Sequence, residues 1–234
     1  MMFWISKDFK KRILASDFLY KIAVSFENIR FLFYNRIKTS GKKNLIKKDK
    51  GTVFRNVKIK IKGDENKIIF GKRCRFRNVN IEIIGSNNKI IIFDKVNFME
   101  GGKFLIEGDN CIISIGENTL FRNANLFAGE SQTKIEIGNN CFCGIVNFST
   151  SDFHSILDRT TGHRINKAGN IIVGNNNWIT NGVNIRKGKT IIMNDTVIAA
   201  NSFVNAKFIN SNIIIAGQPA KVVKENIVWS REKL

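Results

Sequence analysis

Val173-Gly-Asn-Asn-Asn-Trp178, Ile179-Thr-Asn-Gly-Val-Asn184 and Ile185-Arg-Lys-Gly-Lys-Thr190 are three consecutive six-residue blocks, each opening on a β-branched aliphatic residue and continuing through small or turn-forming ones. Six is neither the two-residue period of a strand nor the 3.6-residue period of a helix. It requires a prism in which one residue in six points inward on each face. Three such faces make one coil of a parallel β-helix, with the apolar first residue stacked on its equivalent in the next coil. Asn and Gly at the corners fit this geometry, because both tolerate positive φ.

The pattern extends outward in both directions. Ile192-Met-Asn-Asp-Thr-Val, Ile198-Ala-Ala-Asn-Ser-Phe and Val204 follow it, while Ile115-Gly-Glu-Asn-Thr-Leu with Phe121 and Phe127, Ile137-Gly-Asn-Asn-Cys-Phe with Cys143, Ile92 with Phe98, and Phe70 with Phe76 precede it. Coil starts at 70, 92, 115, 137, 173 and 192 give spacings of 22, 23, 22, 36 and 19 residues. Spacings of 22 or 23 imply extra corner residues in the early coils. The value 36 implies an excursion over roughly 149–170, where the pattern is missing.

The texture is different before residue 51. Residues 1–40 lack Gly and Pro, and Phe9, Ile13, Phe18, Ile22, Phe26, Ile29, Phe33 and Ile37 recur at helical steps opposite a basic face. Lys38–Lys50 reads as a solvated basic linker. The expected organisation is therefore a basic amphipathic helical segment and linker over 1–50 and a β-helix over 51–218, with 219–234 following it. A basic amphipathic helix can lie on an anionic membrane, so residues 1–45 are a candidate for peripheral contact. The alternative is that its apolar face covers the end of the β-helix or a neighbouring subunit.

Composition narrows the function. The 234 residues carry 38 Lys and Arg against 19 Asp and Glu, a formal charge of +19, with 43% hydrophobic residues. Such a charge attracts polyanions or an anionic surface without choosing among them. No zinc-finger spacing, RRM signature or recognition helix points to nucleic acid. No apolar run approaches the ~20 residues of a bilayer span, and no signal-peptide order is present, so a cytoplasmic protein is expected. Cys74, Cys111, Cys141 and Cys143 form no CxxC pair and read as reduced core or turn residues. His154 and His163, nine residues apart and without an HExxH or Cys/His cluster, do not make a zinc site, so no metal is expected.

The repeat [LIV]-[GAED]-x-x-[STAV]-x resembles that of the left-handed β-helix acyltransferases. Ser151-Asp-Phe-His154-Ser-Ile with Asp158-Arg-Thr-Thr-Gly162-His-Arg-Ile-Asn166 resembles the extended loop of the bacterial capsule and polysialic-acid O-acetyltransferases in that family. The Trp178 block resembles a further part of them, and Ala216-Gly-Gln-Pro219-Ala220-Lys221 resembles the ending that closes their β-helix, which implies a C-terminal helix over 219–234. Left-handed winding is an implication of this resemblance, since parallel crossovers are otherwise almost always right-handed. So are a homotrimer and acetyl-CoA as co-substrate, lying between neighbouring subunits against Asn181, Gly182, Ala199, Ala200 and Lys221. Small corner residues also serve the β-helix itself, so these assignments stand beside a purely structural reading.

Acetyl transfer to an alcohol needs a base for the hydroxyl proton and a donor for the oxyanion. Imidazole is the natural base at cellular pH. His154 is the candidate, with Ser151, Asp152 and Ser155 near enough in sequence to orient it. His163 is a departure, since the resembling enzymes often hold an acidic residue there. Trp178 ends its block at a corner, so its indole should project from the prism and donate to the oxyanion or wall the acetyl pocket. The expected activity is O-acetylation of an acidic surface polysaccharide of the sialic-acid type. N-acetylation of a nucleotide-linked amino sugar and a non-catalytic polyanion-binding β-helix are the alternatives.

Overall fold

The computed structural model describes residues 34–188 and 190–232. Twenty-two strands and no helix lie among them. The expected N-terminal helical stripe falls, up to Phe33, outside the described residues. Every strand pairing but one is parallel, so the chain winds as a β-solenoid.

Three faces can be traced. The first stacks Val53–Arg55 and Arg75–Arg77 and, later, Trp178–Ile179, Val197–Ile198 and Ile214–Gly217. The second stacks Arg36–Ser40, Lys58–Lys62 and Val79–Ile84 and, later, Val183–Arg186 and Phe203–Val204. Asn97–Glu107, Leu120–Ala128 and Phe142–Ser149 run through the corner between these two faces and join them into one fourteen-stranded sheet. The third face is a separate eight-stranded sheet from Leu45–Lys48 to Lys207–Phe208.

The six coil starts read from the sequence form one column of this third face. Phe70, Ile92, Ile115, Ile137, Val173 and Ile192 pair in direct succession, with Lys48 before them and Phe208 after. Each of the six is at most 3% exposed. Burial of the inward column drives coil formation, because each aliphatic side chain gains about 1.5–3 kcal/mol on leaving water. On the first face the inward column is aromatic in the early coils, where the Phe98 ring stacks on Phe76 at 5.3 Å and on Phe121 at 4.6 Å, and it continues through Cys143, Ile179 and Ile198. A third inward column is small and polar. Thr52, Cys74, Val96, Thr119, Cys141, Asn177 and Thr196 are all buried, and side-chain oxygens accept from the next coil's backbone, as in Cys141 N–H to Thr119 Oγ1 at 3.1 Å and Thr196 N–H to Asn177 Oδ1 at 2.7 Å.

All four cysteines are free and buried, as read from the sequence. Burial pushes the Cys141 thiol up to about 11, which makes it a packing residue and not a nucleophile. The corners explain the Asn-rich texture. Arg73, Lys95, Asn118, Asn140, Asn176 and Asp195 repeat once per coil with φ between 54° and 58°, the left-handed region that Asn and Asp enter most readily among non-glycine residues.

Two expected boundaries are corrected. Lys38–Lys50 is not a linker, and the solenoid does not begin at 51. Arg36–Ser40 and Leu45–Lys48 pair in register with Lys58–Lys62 and Lys67–Phe70, so the winding already includes residue 36. Lysines hide this coil: Lys48 occupies the column that is aliphatic or aromatic in every later coil. The C-terminal helix is also absent among the described residues. The chain reverses after Gly217, φ +103°, and Ala220–Lys224 returns antiparallel to Ile214–Gly217. A strand there covers the backbone edge of the last coil, which a helix would leave unpaired. Beyond it an irregular tail climbs the first face: Ile227 N–H donates to the Asn212 carbonyl, Trp229 Nε1 to the Asn176 carbonyl and Arg231 to the Asn140 carbonyl.

The aromatic column gives a stability test. Phe98→Ala should lower the unfolding free energy by about 3–5 kcal/mol, read from the denaturant midpoint, whereas Phe93→Ala, half exposed on the surface, should change it by less than ~1 kcal/mol. Equal small effects would show that the phenyl stack is not a cohesive core.

Candidate functional site

The 36-residue spacing is an excursion, as expected. Phe142–Ser149 ends the second face, Ile171–Val173 opens the third, and between them the chain leaves the corner as a loop with an antiparallel bridge from Leu157 to Arg164. The coils on either side keep register across the gap, with Ile137 beside Val173 and Phe142 beside Trp178.

The loop is tied at its base by charged and amide groups. Arg164 makes a fork to Glu130, with NH1 at 2.8 Å from Oε2 and NH2 at 2.6 Å from Oε1. Ser151 Oγ donates to the same carboxylate. The Arg164 hydrogen bond holds the Glu130 carboxyl below its ordinary range, although partial burial opposes this. Lys187 Nζ reaches Asp152 at 2.7 Å and the Asn166 carbonyl at 2.8 Å. Burial works against the Asp152 charge, but the Lys187 and Asn166 hydrogen bonds outweigh it and lower its pKa. Asn166 then brackets the segment around His154: Nδ2 donates to the His154 carbonyl at 2.8 Å and to Asp152 at 3.0 Å, and Oδ1 accepts from the Ile156 N–H at 2.7 Å. Phe153, at φ +64°, places its ring 6.4 Å from that of Phe127. Gly129 lies beneath it, where a Cβ would come within 2.8 Å of the Phe153 ring.

His154 is exposed, and its imidazole makes no hydrogen bond among the described residues. The expected orienting groups are engaged elsewhere: Ser151 serves Glu130, and Asp152 serves Lys187 and Asn166. The loop therefore fixes the backbone at residue 154 and leaves the ring open to solvent. His163 lies near the loop's tip, its carbonyl accepting from the Asp158 N–H at 2.8 Å.

Trp178 projects outward as the sequence implied, with 37% of its surface exposed. It packs not under the loop but against the tail, its ring centroid 5.9 Å from that of Trp229. Its indole N–H is without a partner among the described residues, while its backbone N–H donates to the Thr196 carbonyl. Asn181, Gly182, Ala199 and Ala200 meet on one corner of two adjacent coils, between the first and second faces, and Lys221 is exposed beside Ala216 on the next. Two of these have clear duties in the solenoid. Asn181 Oδ1 accepts from the Ile145 N–H at 3.0 Å and fills the space left by Gly144. Gly182, at φ +77°, makes room for Asn201, whose Oδ1 would lie 2.0 Å from an added Cβ. Ala199 and Ala200 have no side chain that closes the corner.

The loop and this corner stand at opposite ends of the second face. A cleft of about 490 Å³ lined by Asp152, Arg186, Lys187, Phe203 and Asn205 lies at the loop's base. Glu130, Arg164, Asn166, Lys187 and Trp229 carry the local architecture yet were given no role in the sequence reading, because the partners described above lie 10 to 53 residues away.

No family model matches the chain. It is 33% identical over 98 residues to a polysialic acid O-acetyltransferase of Escherichia coli O1:K1, covering 42% of this chain and 31% of that protein. It is 31% identical over 100 residues to the polysialic acid O-acetyltransferase of Neisseria meningitidis, covering 42% of this chain and 46% of that one. The matched stretch thus spans less than half the length of these curated relatives. Two solved structures resemble it over more of its length. The polySia-specific acetyltransferase NeuO superposes with a TM-score of 0.74 at 26% identity, covering 85% of this chain and 83% of that one. The polysialic acid O-acetyltransferase OatWY gives 0.72 at 28% identity, covering 86% and 92%. The chain is a β-solenoid related in sequence and in fold to polysialic acid O-acetyltransferases, the group within the hexapeptide-repeat acyltransferases that its coil pattern and His154 loop resemble.

Proposed function

We propose that this protein transfers an acetyl group from acetyl-CoA to a hydroxyl of an acidic capsular polysaccharide of the polysialic-acid type, with His154 as general base. The observation that carries the reading is the anchored loop: six hydrogen-bonding side chains fix the backbone around an imidazole that is unpaired among the described residues and exposed at the surface. Kinship with polysialic acid O-acetyltransferases supports the reaction class, and the +19 charge suits a polyanionic acceptor.

The thioester supplies an activated acetyl carbonyl. His154 takes the proton from the acceptor hydroxyl as its oxygen adds to that carbonyl, and returns the proton to the departing thiolate, so charge balances over the cycle. The Trp178 indole N–H, free among the described residues, is the proposed donor to the oxyanion. Ala199 and Ala200 leave the corner open for the pantetheine arm, Asn181 and Gly182 shape it beside them, and Lys221 offers a cation to the phosphates. Within one chain the loop and this corner stand apart. A left-handed solenoid assembled as a homotrimer would set the loop of one subunit against the corner of its neighbour, completing the site between copies.

Three outcomes test this. His154→Ala should cut thiol release from acetyl-CoA in the presence of polysialic acid by about 10²–10⁴-fold at an unchanged thermal midpoint, and near-wild-type turnover would dismiss it as the base. Trp178→Phe, which keeps a ring and loses the N–H, should lower kcat with little change in the KM for acetyl-CoA; an unchanged kcat would confine Trp178 to packing against Trp229. The loop anchor should show in its pH dependence. Because the Glu130 pKa is lowered in the folded state, its contribution is complete above the ordinary glutamate value of about 4.3 and is lost as pH falls through the lower folded value. Proteolytic nicking within 150–170 should stay constant from pH 7 to 5 and rise only below about 4, whereas Glu130→Gln should raise it throughout. A rise between pH 7 and 5 in the unsubstituted protein would assign the anchor to another group.

A further inference from the structure

The positive charge is not spread evenly along the solenoid. Residues 36–103 hold 19 Lys and Arg against 6 Asp and Glu, whereas residues 104–234, which include the His154 loop, hold 13 against 10. The excess therefore sits on the early coils, and the coils that carry the proposed chemistry are close to neutral.

On the second face this excess is laid out in register. Arg36, Lys58, Asn80 and Lys103 pair in succession as one exposed outer column. The same column continues through Asn125, Asn147 and Asn184, with Asn125 Nδ2 donating to Asn147 Oδ1 at 2.8 Å and Asn147 Nδ2 to Asn184 Oδ1 at 3.3 Å. It contains cations and amides and no carboxylate. Beside it run Lys38, Lys60 and Glu82, with Lys62 next along the strand. Glu82 is the carboxylate that Lys60 pairs with here, and Glu107 stands two coils beyond Lys62 in that residue's own column. Lys60 hydrogen-bonds Glu82 at 2.8 Å and, with Lys62 and Lys103, holds its pKa down, so several ammonium groups surround that negative charge.

Coils rise by about 4.8 Å each. Arg36 to Lys103 is three coils, about 14 Å, and Lys103 to Asn147 is two more, about 10 Å. Asn147 lies on the strand that runs directly into the His154 loop. A line of cations and amides thus leads along one face to the base of the proposed catalytic loop. A small acceptor would need only the loop end, whereas a polymer with one carboxylate per sugar can occupy the whole line.

We propose that the Arg36, Lys58, Lys62 and Lys103 side of the second face is an exosite that holds a stretch of the anionic acceptor polymer away from the reacting hydroxyl, so that the protein favours long chains over short ones. This rests on the acidic-polysaccharide reading of the function, and the test separates the two. The full-length protein carries Lys58→Gln, Lys62→Gln and Lys103→Gln together. All three positions are exposed, and none lies in the loop or corner. Equilibrium binding and acetyl transfer are measured with long-chain polysialic acid and with the sialic acid trisaccharide.

The triple variant should bind the long polymer about tenfold more weakly at low salt, with a matching rise in KM, an unchanged kcat and no change with the trisaccharide. Glu82→Gln should act in the opposite sense and tighten long-chain binding severalfold, which loss of folding cannot mimic. Salt at ~1 M should abolish the difference between the proteins, because screening shortens the Debye length to about 3 Å. Unaltered long-chain binding in the triple variant, or an equal loss with the trisaccharide, would overturn the exosite. So would patch-dependent binding to phosphatidylserine vesicles without binding to the polymer. Long-chain binding that depends on the patch in a protein that transfers no acetyl group would uphold the exosite and overturn the catalytic reading.

Discussion

Register between coils is the constraint on which the rest of this structure depends. Each strand's backbone bonds to the coil on either side, and alternate side chains face in and out, so one extra residue within a strand would turn its inward column to solvent. Length can change only where the chain turns. From Cys143 to Ile179 the offset is 36 residues, but from Val146 to Val183 it is 37, and the extra residue is absorbed in the turn that holds Gly182. The His154 loop is the same accommodation on a larger scale. It leaves one corner and returns to it without disturbing the columns, so a mechanistic element can be added to a rigid scaffold at little cost to the core.

The same constraint decides what could be read from the sequence. The six coil starts were legible because each is a large apolar residue in a fixed place of a repeating phrase, and burial enforces that choice once per coil. The excursion was legible as a gap in that phrase. The coil of residues 36–48 was not, because Lys48 stands where Phe70 and Ile92 stand later, so the phrase lacks its apolar opening residue there. The terminal strand was missed because what selects it is the open edge of Ile214–Gly217, which no local pattern encodes. Outward positions are freer still. Trp178 could be seen to project, but the ring that meets it, Trp229, lies 51 positions on in an irregular tail. The loop's anchors are worse placed for sequence reading: Glu130 looks like any turn glutamate until Arg164 is brought beside it.

Geometry also separates two roles that the sequence allowed to merge. Ser151 and Asp152 flank His154 and looked like orienting partners for its ring, yet both are consumed in fixing the loop. That arrangement resembles a positioned side chain awaiting its partners more than a finished triad. If those partners come from a ligand or from another copy of the chain, the imidazole becomes part of a complete site only on assembly. Residues at the opposite corner, Ala199 and Ala200, present the complementary case of open surface with no reactive group of its own.

Charge and chemistry are then distributed along the axis of the prism, and a solenoid suits that division. Coils repeat at a fixed rise, so a cation placed at the same phase in successive coils forms a line with a spacing set by the backbone and not by side-chain flexibility. A globular surface would have to assemble such a line from unrelated loops. Here Lys58 and Lys103 hold one phase two coils apart, Asn80 between them adds no opposing charge, and the amides of Asn125 and Asn147 continue the line where charge density falls. For the proposed acceptor, falling charge toward the loop would have a physical use: a polyanion gripped as firmly at the reacting end as along the rest of its length would leave slowly, whereas a neutral end would let successive sugars pass the imidazole while the early coils kept hold of the polymer.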